Sequence, residues 1–339
     1  MKKTVAVIFG GMGLENEISK KSAEYLINSL DKKLFTILPI FIDKRGAWRL
    51  ATPELSQNDF SKMPEAYPVK LGEESGFLVL GSVIGVDVAI VALHGNYGED
   101  GIVQGALSSA GIKYLGQSVL SCALTNDKAS TKTHADKLGI PGAKWVLLTE
   151  NEPERALLRV RELLSFPCFL KACSFGSSFG TYKVENENEF SKCYSEILAM
   201  GETRIIAEEY VPSDYELECA YIALDEEYYL PYGIINSGGK FYNFTEKYKN
   251  TDRNFASLGR IPSRTAETVI EYSRALKAAL DIRYISRFDF FIKGEAVIFN
   301  EVNTFPGMTE SSLYPKIISE HLLPFQTALS ELILRVIKA

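Results

Sequence analysis

The segment Val86-Asp87-Val88-Ala89-Ile90-Val91-Ala92-Leu93 is apolar at every position but one. A strand with one face in water alternates apolar and polar residues. A strand without alternation must be covered on both faces, as in parallel sheets flanked by helices. The first third of the chain has the strand–helix alternation this requires. Val5 to Phe9 is a short apolar run stopped by Gly10-Gly11. A helix follows, with Ala23, Leu26, Ile27 and Leu30 on one face, and Phe35 to Ile42 reads as a second strand. The pattern predicts a parallel α/β sheet at the N-terminus. Residues 51–75, polar and weakly patterned, read as a surface connection.

The pattern changes near Asp127. A helix over Lys128 to Leu138 stops at Gly139-Ile140-Pro141. Short strands are expected at Trp145 to Leu148, Cys168 to Ala172 and Gly180 to Val184, with a helix over Glu187 to Met200. Strands then return at Tyr228 to Ile235 and across Phe290 to Val302, with helices over about 265–280 and 321–338. A chain of 339 residues, at about 150 residues per domain, holds two or three domains.

Charge and cysteine usage narrow the function. Thirty-seven Lys+Arg against 43 Asp+Glu leave a net charge of -6, which argues against a nucleic-acid partner, since that needs a basic face. The sequence has no run of apolar residues long enough for a membrane span. Lys2-Lys3 before a five-residue apolar run reads as a first strand rather than a signal peptide. The five cysteines, Cys122, Cys168, Cys173, Cys193 and Cys219, are odd in number and lack CxxC spacing. They read as reduced thiols in a cytoplasm, against a disulfide scaffold or a zinc site.

Four constellations could carry chemistry. Gly10-Gly11-Met12-Gly13-Leu14-Glu15-Asn16-Glu17 leads from strand to helix. It is neither a GxGxxG fingerprint nor a Walker loop, and its acids suit an ammonium group better than a phosphate. A plain helix start, with acids favoured by the dipole, is the alternative. The second, His94-Gly95-Asn96-Tyr97-Gly98-Glu99-Asp100-Gly101, follows the buried strand directly, where open α/β sheets bind ligands; a capped turn is the alternative there. In the third, Lys171 precedes a loop, Gly176-Ser177-Ser178-Phe179-Gly180, whose small residues let backbone amides approach phosphate oxygens.

The fourth is a hairpin around Gly294. Glu301 and Asn303 are two apart and share a strand face. With a three-residue turn at 293–295, Asp289 pairs with Phe299 and joins that face, as does Arg287. Two carboxylates and an amide on one face suit Mg²⁺, and burying them among Phe290, Phe291, Ile298 and Phe299 without a cation would be costly. A structural Arg–carboxylate pair is the alternative.

Taken in order, these segments resemble the D-alanine–D-alanine ligase family of the ATP-grasp fold. The resemblance covers essentially the whole chain: the Gly-Gly turn with Glu15, HGxxGEDG at 94–101, Asp127-Lys128, the Lys171 strand with Gly176-Ser177-Ser178, Glu208-Glu209, Glu246-Lys247-Tyr248, Arg287 with Asp289, and Glu301 through Thr309. It implies an α/β (α+β) three-domain ATP-grasp fold with an N-terminal parallel α/β sheet, divided as 1–118, 119–207 and 208–339. It implies that Lys128, Lys171, Ser178 and Lys247 bind ATP phosphates or cover them, that Glu208, Glu209 and Val211 line the adenine, and that Glu216 takes the ribose. Asp289, Glu301 and Asn303 would hold two Mg²⁺ ions, with Mn²⁺ an alternative.

By the same resemblance, Glu15 would hold the ammonium of a first D-alanine, linked through Ser177 to Tyr248, with His94 nearby. Arg287 and the Gly307 amide would stabilise an oxyanion, and Ser312 and Leu313 would position the second amino acid. The implied product is a D-Ala-D-Ala dipeptide for peptidoglycan synthesis, made in the cytoplasm by a homodimer from small-molecule substrates. Alternatives are a D-alanine–D-serine ligase, another carboxylate–amine ligase, or a nucleotide-binding relative without catalysis. The sequence departs from the usual family pattern at Gly13, Ala172, Ser174, Phe175 and Phe179.

Overall fold

In the computed structural model, which describes residues 2–176, 178–234 and 261–339, the apolar run ending at Leu93 lies at the heart of a five-stranded sheet. The first unit comprises β1 (Lys3–Gly10), α1 (Asn16–Ser29), β2 (Phe35–Ile42), β3 (Trp48–Leu50), β4 (Ala66–Leu71), β5 (Glu74–Val79), β6 (Ser82–Gly85), β7 (Val88–Val91), α2 (Ile102–Ser109) and β8 (Tyr114–Leu115). The sheet order is β3-β2-β1-β7-β8, parallel except for β3. The missing alternation has a direct cause. Val5, Val7 and Phe9 pack with Ala23, Leu26 and Ile27 of α1 on one side. Ala6 and Ile8 pack with Val103 and Leu107 of α2 on the other.

The expected surface connection at 51–75 is instead partly strand. β4, β5 and β6 form a separate antiparallel sheet. Its apolar signal is weak because only a few inward side chains, chiefly Ala66, Phe77 and Val79, are buried.

The second unit comprises α3 (Val119–Asn126), α4 (Lys128–Lys137), β9 (Trp145–Leu148), α5 (Pro153–Leu163), β10 (Cys168–Ala172), β11 (Thr181–Val184), α6 (Glu187–Ala199) and β12 (Ile205–Glu209). Its sheet is antiparallel in the order β11-β10-β12-β9. A domain boundary at 207/208 would cut β12, whose pairing with β10 extends to Cys168↔Glu209. The sheet itself divides after Glu209.

The third unit holds β13 (Tyr215–Ala223), β14 (Glu227–Ile234), α7 (Ser263–Ala279), β15 (Ile285–Lys293), β16 (Ala296–Asn303), α8 (Leu313–His321) and α9 (Phe325–Lys338), with the antiparallel order β14-β13-β15-β16. The helix expected at 321–338 begins at Phe325, because Pro324 starts it and cannot sit inside a preceding turn. A separate helix, α8, ends at His321.

The first and third units share a core. Leu329, Leu332 and Ile333 of α9 pack with Val5 and Val7 of β1 and with Ala220 and Ile222 of β13. The Phe325 ring stacks on Tyr25 at 5.9 Å. At the junction, the buried Gln117 amide donates to the carbonyls of Ile285 at 2.5 Å and Arg283 at 2.8 Å and accepts from the Arg283 amide at 2.6 Å. The start of β15 is thereby tied to the end of the parallel sheet.

The hairpin register differs from the expected one. Lys293 pairs with Ala296, so the turn has two residues, Gly294-Glu295, and not three. That register runs up to Phe290↔Phe299 and would leave Asp289 facing Asn300. A bulge intervenes: Asn300 is the extra residue, and Asp289 pairs with Glu301 and Arg287 with Asn303. The expected partner of Asp289, Phe299, is therefore wrong by two residues, while the shared face survives. A two-residue turn alone would have put Asp289 and Glu301 on opposite faces; the inserted residue restores the parity.

Candidate active site

The carboxyl ends of the parallel strands supply one wall. The glycine turn after β1 uses its own amides: Gly10 donates to Ser19 Oγ at 2.8 Å and Gly11 to the Ile42 carbonyl at 2.8 Å. Asn16 Nδ2 donates to the Gly11 carbonyl at 2.7 Å, and Ser19 Oγ donates to the Ala92 carbonyl at 2.6 Å. The amides of Gly10 and Gly11 are thus taken up by the fold and do not point at an anion. What the turn presents is Glu15, buried at 5% exposure. Its carboxylate lies against two glycine backbones. A Cβ on Gly95 would fall 2.2 Å from Oε2, and one on Gly176 would fall 3.0 Å from Oε1. Gly95 also has φ +64, a backbone region that suits glycine.

The loop after β7 completes this wall. Glu99 Oε2 accepts from the Gly95 amide at 2.7 Å. Burial pushes the Glu99 carboxyl up to about 7, against the pull of that amide, and the nearby Glu15 charge adds to the rise. The His94 ring nitrogen Nε2 lies 2.9 Å from Ser22 Oγ, and the ring packs beside Phe305 at 5.8 Å. Burial lowers His94 to about 4, so the imidazole is neutral near pH 7.

The second unit supplies the cations. Asp127 caps α4, accepting from the Ser130 amide at 2.7 Å, and is held by Arg204 Nε at 2.7 Å. This cap sets the first turn of α4, which carries Lys128. The Lys128 ammonium donates to the Phe175 carbonyl at 2.6 Å, fastening the glycine-serine loop. Burial lowers the Lys128 pKa. Lys171 on β10 and Glu208 on β12 meet at 2.7 Å. Burial works against the Lys171 charge, but the Glu208 carboxylate outweighs it and the pKa rises. Lys132, one turn beyond Lys128, holds the other oxygen of Glu208 at 2.9 Å. Burial opposes the Glu208 charge too, yet the two lysines bring its pKa down to about 2.

The third unit faces these cations with a row of acids. Glu218 pairs across strands with Asp289, and Asp289 with Glu301. Three carboxylates therefore lie side by side on three adjacent strands, where like charges repel. Arg287 grips both oxygens of Asp289 at 2.6 and 2.7 Å and lies 3.4 Å from Glu218. Asn303 Nδ2 donates to Asp289 at 3.0 Å. The structural Arg–carboxylate pair does form, but one guanidinium serves three acids, which is more negative charge than a structural pair needs. Among the described residues no three His, Cys, Asp or Glu side chains converge as a ready-made metal cage. Hard oxygen donors in a row fit a cation that brings its own phosphate and water oxygens, as Mg²⁺ does.

The two antiparallel sheets meet at this place. The Phe299 amide donates to the Pro141 carbonyl at 2.7 Å. The bulge residue Asn300 brings Oδ1 within 3.5 Å of the Lys171 ammonium. Near the end of β16, Ser312 Oγ accepts from the Thr309 amide at 2.9 Å, and a Cβ on Gly307 would fall 2.9 Å from that oxygen. Gly307 and Ser312 are thus held together, with Leu313 opening α8 behind them.

Glu209 turns back to accept from the Lys144 amide at 3.0 Å. Glu216 feels the Lys171 charge from β13. Ser178 takes a left-handed φ of 62 in the loop after β10. Val211 follows β12 by two residues. Ser177, Lys247 and Tyr248 lie outside the described residues.

Sequence reasoning missed Glu218, Glu99 and Lys132 as members of the site. Glu99 stood in the HGxxGEDG segment, and Lys132 stands four residues after Lys128, one helical turn away on the same face. Glu218 had no local signal; only the pairing of β13 with β15 brings it beside Asp289.

Two antiparallel sheets that meet with lysines on one and a row of acids on the other have the architecture of the ATP-grasp fold. The chain belongs to the D-alanine–D-alanine ligase family: the D-ala D-ala ligase N-terminus matches residues 4–117 and the D-ala D-ala ligase C-terminus residues 135–334. A D-alanine–D-alanine ligase of Ruminiclostridium cellulolyticum is 31% identical over 98% of this chain and 94% of its own length. Among solved structures, the VanG D-Ala:D-Ser ligase from Enterococcus faecalis superposes with a TM-score of 0.85 at 31% identity, covering 99% of this chain and 100% of that one. The D-alanine–D-alanine ligase from Bacillus anthracis complexed with ATP superposes with a TM-score of 0.71 at 25% identity, covering 99% of each chain.

Proposed function

We propose that this chain is an ATP-dependent ligase that joins two D-alanines into D-Ala-D-Ala, for peptidoglycan synthesis in the cytoplasm. The observation that carries the reading is that Lys128 and Lys171 both feel the charge of Glu301, the end of the row Glu218, Asp289, Glu301, while Glu99 feels both Glu301 and the buried Glu15 carboxylate. Lys128 and Lys171 meet ATP phosphates, with the Ser178 loop and Lys247 closing over them. Glu208, Glu209 and Val211 border the adenine, and Glu216 the ribose. Glu15 receives the ammonium of the first D-alanine beside neutral His94, and Ser177 and Tyr248 take the linking role that the family resemblance gives them.

A carboxylate resists nucleophiles. Transfer of the γ-phosphoryl group to it releases ADP and leaves an acyl phosphate. The neutral amine of the second D-alanine attacks that carbonyl, the nitrogen gives up a proton to water or to the departing phosphate as the amide bond forms, and phosphate departs with the C–O bond electrons. Arg287 and the Gly307 amide sit where the oxyanion develops, and Ser312 and Leu313 orient the second amino acid. Asp289, Glu301 and Asn303 would hold Mg²⁺, two ions in all, or Mn²⁺ in its place, which would neutralise charge on phosphate oxygens. The chain functions as a homodimer in this reading, with domains of 1–118, 119–209 and 210–339.

The test is an amino-acid panel with ATP, read by mass spectrometry. D-Ala-D-Ala with stoichiometric ADP and phosphate is expected. D-Ala-D-Ser as the main product would favour the reading that the VanG likeness raises, and ATP consumption without any dipeptide would refute both. The segment Glu246-Lys247-Tyr248 has no histidine, and the expected nucleophile is an amine; substantial D-alanine–D-lactate ester would overturn this.

A further inference from the structure

Lys132 does not reach the open cleft, and its partner is not a surface acid. Its ammonium nitrogen is 2.9 Å from Glu208, and the two side chains are only 6% and 3% exposed. The second oxygen of the same carboxylate is 2.7 Å from Lys171. Two cations therefore share one anion, and the trio carries one net positive charge. Burying an ammonium is costly, and an apolar side chain could fill the same gap between α4 and β12 without that cost. The charge itself must matter.

Electrostatics shows how. With Glu208 and Lys171 alone, the pair would be neutral, and the Lys171 ammonium would meet a phosphate with its charge cancelled by the acid behind it. Lys132 takes up that acid. Lys171 is then held in place by Glu208 while its positive charge remains available to the cleft. The helix serves both tasks with one face: Lys128 fastens the loop at the Phe175 carbonyl, and Lys132, four residues on, holds Glu208.

We propose that Lys132 is a positioning residue for the nucleotide phosphates, acting through Glu208 so that this acid does not cancel the Lys171 charge. This rests on the reading of Lys171 as a phosphate ligand.

Steady-state kinetics of the full-length enzyme test it. Lys132→Met should raise the KM for ATP about tenfold, as loss of one charge-assisted contact would. The kcat should stay within about twofold, and the KM for D-alanine should not move. Lys132→Arg should restore most of the ATP affinity. Lys132→Gln is polar but uncharged, so it should behave as Met does and carries the test where the Met variant fails to fold.

The decisive comparison is in a Glu208→Gln background. There the acid that would cancel Lys171 is gone, so the further penalty of Lys132→Gln should shrink to about twofold or less. An equal penalty in both backgrounds, or an unchanged ATP KM in folded Lys132→Gln, overturns the proposal. Lys171→Ala separates the two levels: if it too leaves the ATP KM unchanged, the phosphate role of Lys171 fails, and if it alone raises the KM, only the role of Lys132 fails.

Discussion

The parallel sheet and the two antiparallel sheets line the same cleft in opposite ways. β1 and β7 are buried on both faces, so their side chains are committed to packing and only the loops at their carboxyl ends reach the site. Glu15, His94 and Glu99 all stand on such loops. In β10, β15, β16 and the first residues of β13 one face packs and the other lines the cleft, so Lys171, Glu218, Arg287, Asp289 and Glu301 stand on the strands themselves, as does Glu208 on β12, where both faces are buried. A loop residue depends on local backbone geometry, such as the glycine beside Glu15. A strand residue depends on register, and at β15–β16 that register turns on a single bulge. Substitutions on the two walls should therefore fail differently.

The largest effect is expected on the strand wall. Glu301→Gln should leave the fold close to intact, because removing one of three neighbouring acids relieves repulsion. Turnover should fall by roughly a thousandfold or more, several kcal/mol of charge stabilisation. Near-normal ligation by a folded Glu301→Gln enzyme would break the assignment of that wall to metal and phosphate.

Next is a pH effect that belongs to the strand wall. The Glu208 carboxyl is held down at about 2, against a reference value of 4.5, because its two lysines outweigh burial. A depressed carboxyl stabilises the fold above its unfolded pKa and loses that contribution as pH falls through about 4.5 towards 2. The contribution is at most about 3 kcal/mol. Urea unfolding of wild type and Glu208→Gln should show a constant stability difference above pH 5 and a shift against wild type below it. A difference that ignores pH would mean that the lysines do not hold Glu208 ionised.

On the loop wall, Glu15→Gln removes charge and keeps shape. A charge-assisted contact contributes roughly 1.5–3 kcal/mol, so the KM for the first D-alanine should rise about tenfold or more while ATP affinity holds. An effect on ATP alone would move the glycine turn to the phosphate side.

The smallest expected change is Gly95→Ala. It places a methyl 2.2 Å from the Glu15 carboxylate at a left-handed φ, costing about 1–2 kcal/mol of stability. It should raise the first D-alanine KM by less than Glu15→Gln does, without altering ATP binding. If it impaired ATP binding as strongly as D-alanine binding, the two walls would not be separable.

Most of the loop wall was legible in the sequence, because its signals are local. A double glycine stopping an apolar run, and HGxxGEDG directly after a buried strand, name the positions where backbone conformation and packing leave little choice. The strand wall was legible only in part. Asp289, Glu301 and Asn303 were read onto one face, but through a three-residue turn that does not exist; parity was right because a bulge compensates a shorter turn. Nothing in residues 286–303 announces Asn300 as the inserted residue. The sheet at β4–β6 escaped notice because few of its side chains are buried, and α8 because its apolar face is short.

The sequence by itself determined the parallel sheet, the order of the elements and the residue types at the cleft, since hydrophobic periodicity and turn chemistry act over a few residues. Only the tertiary structure decided the partnerships. Glu218 joins Asp289 through a pairing between strands 71 positions apart in sequence. Lys132 and Lys171 divide the two oxygens of one buried carboxylate. These are long-range electrostatic arrangements in a dry interior, where charge must be balanced by whatever neighbour the fold delivers, and spacing along the chain carries no record of which neighbour that is.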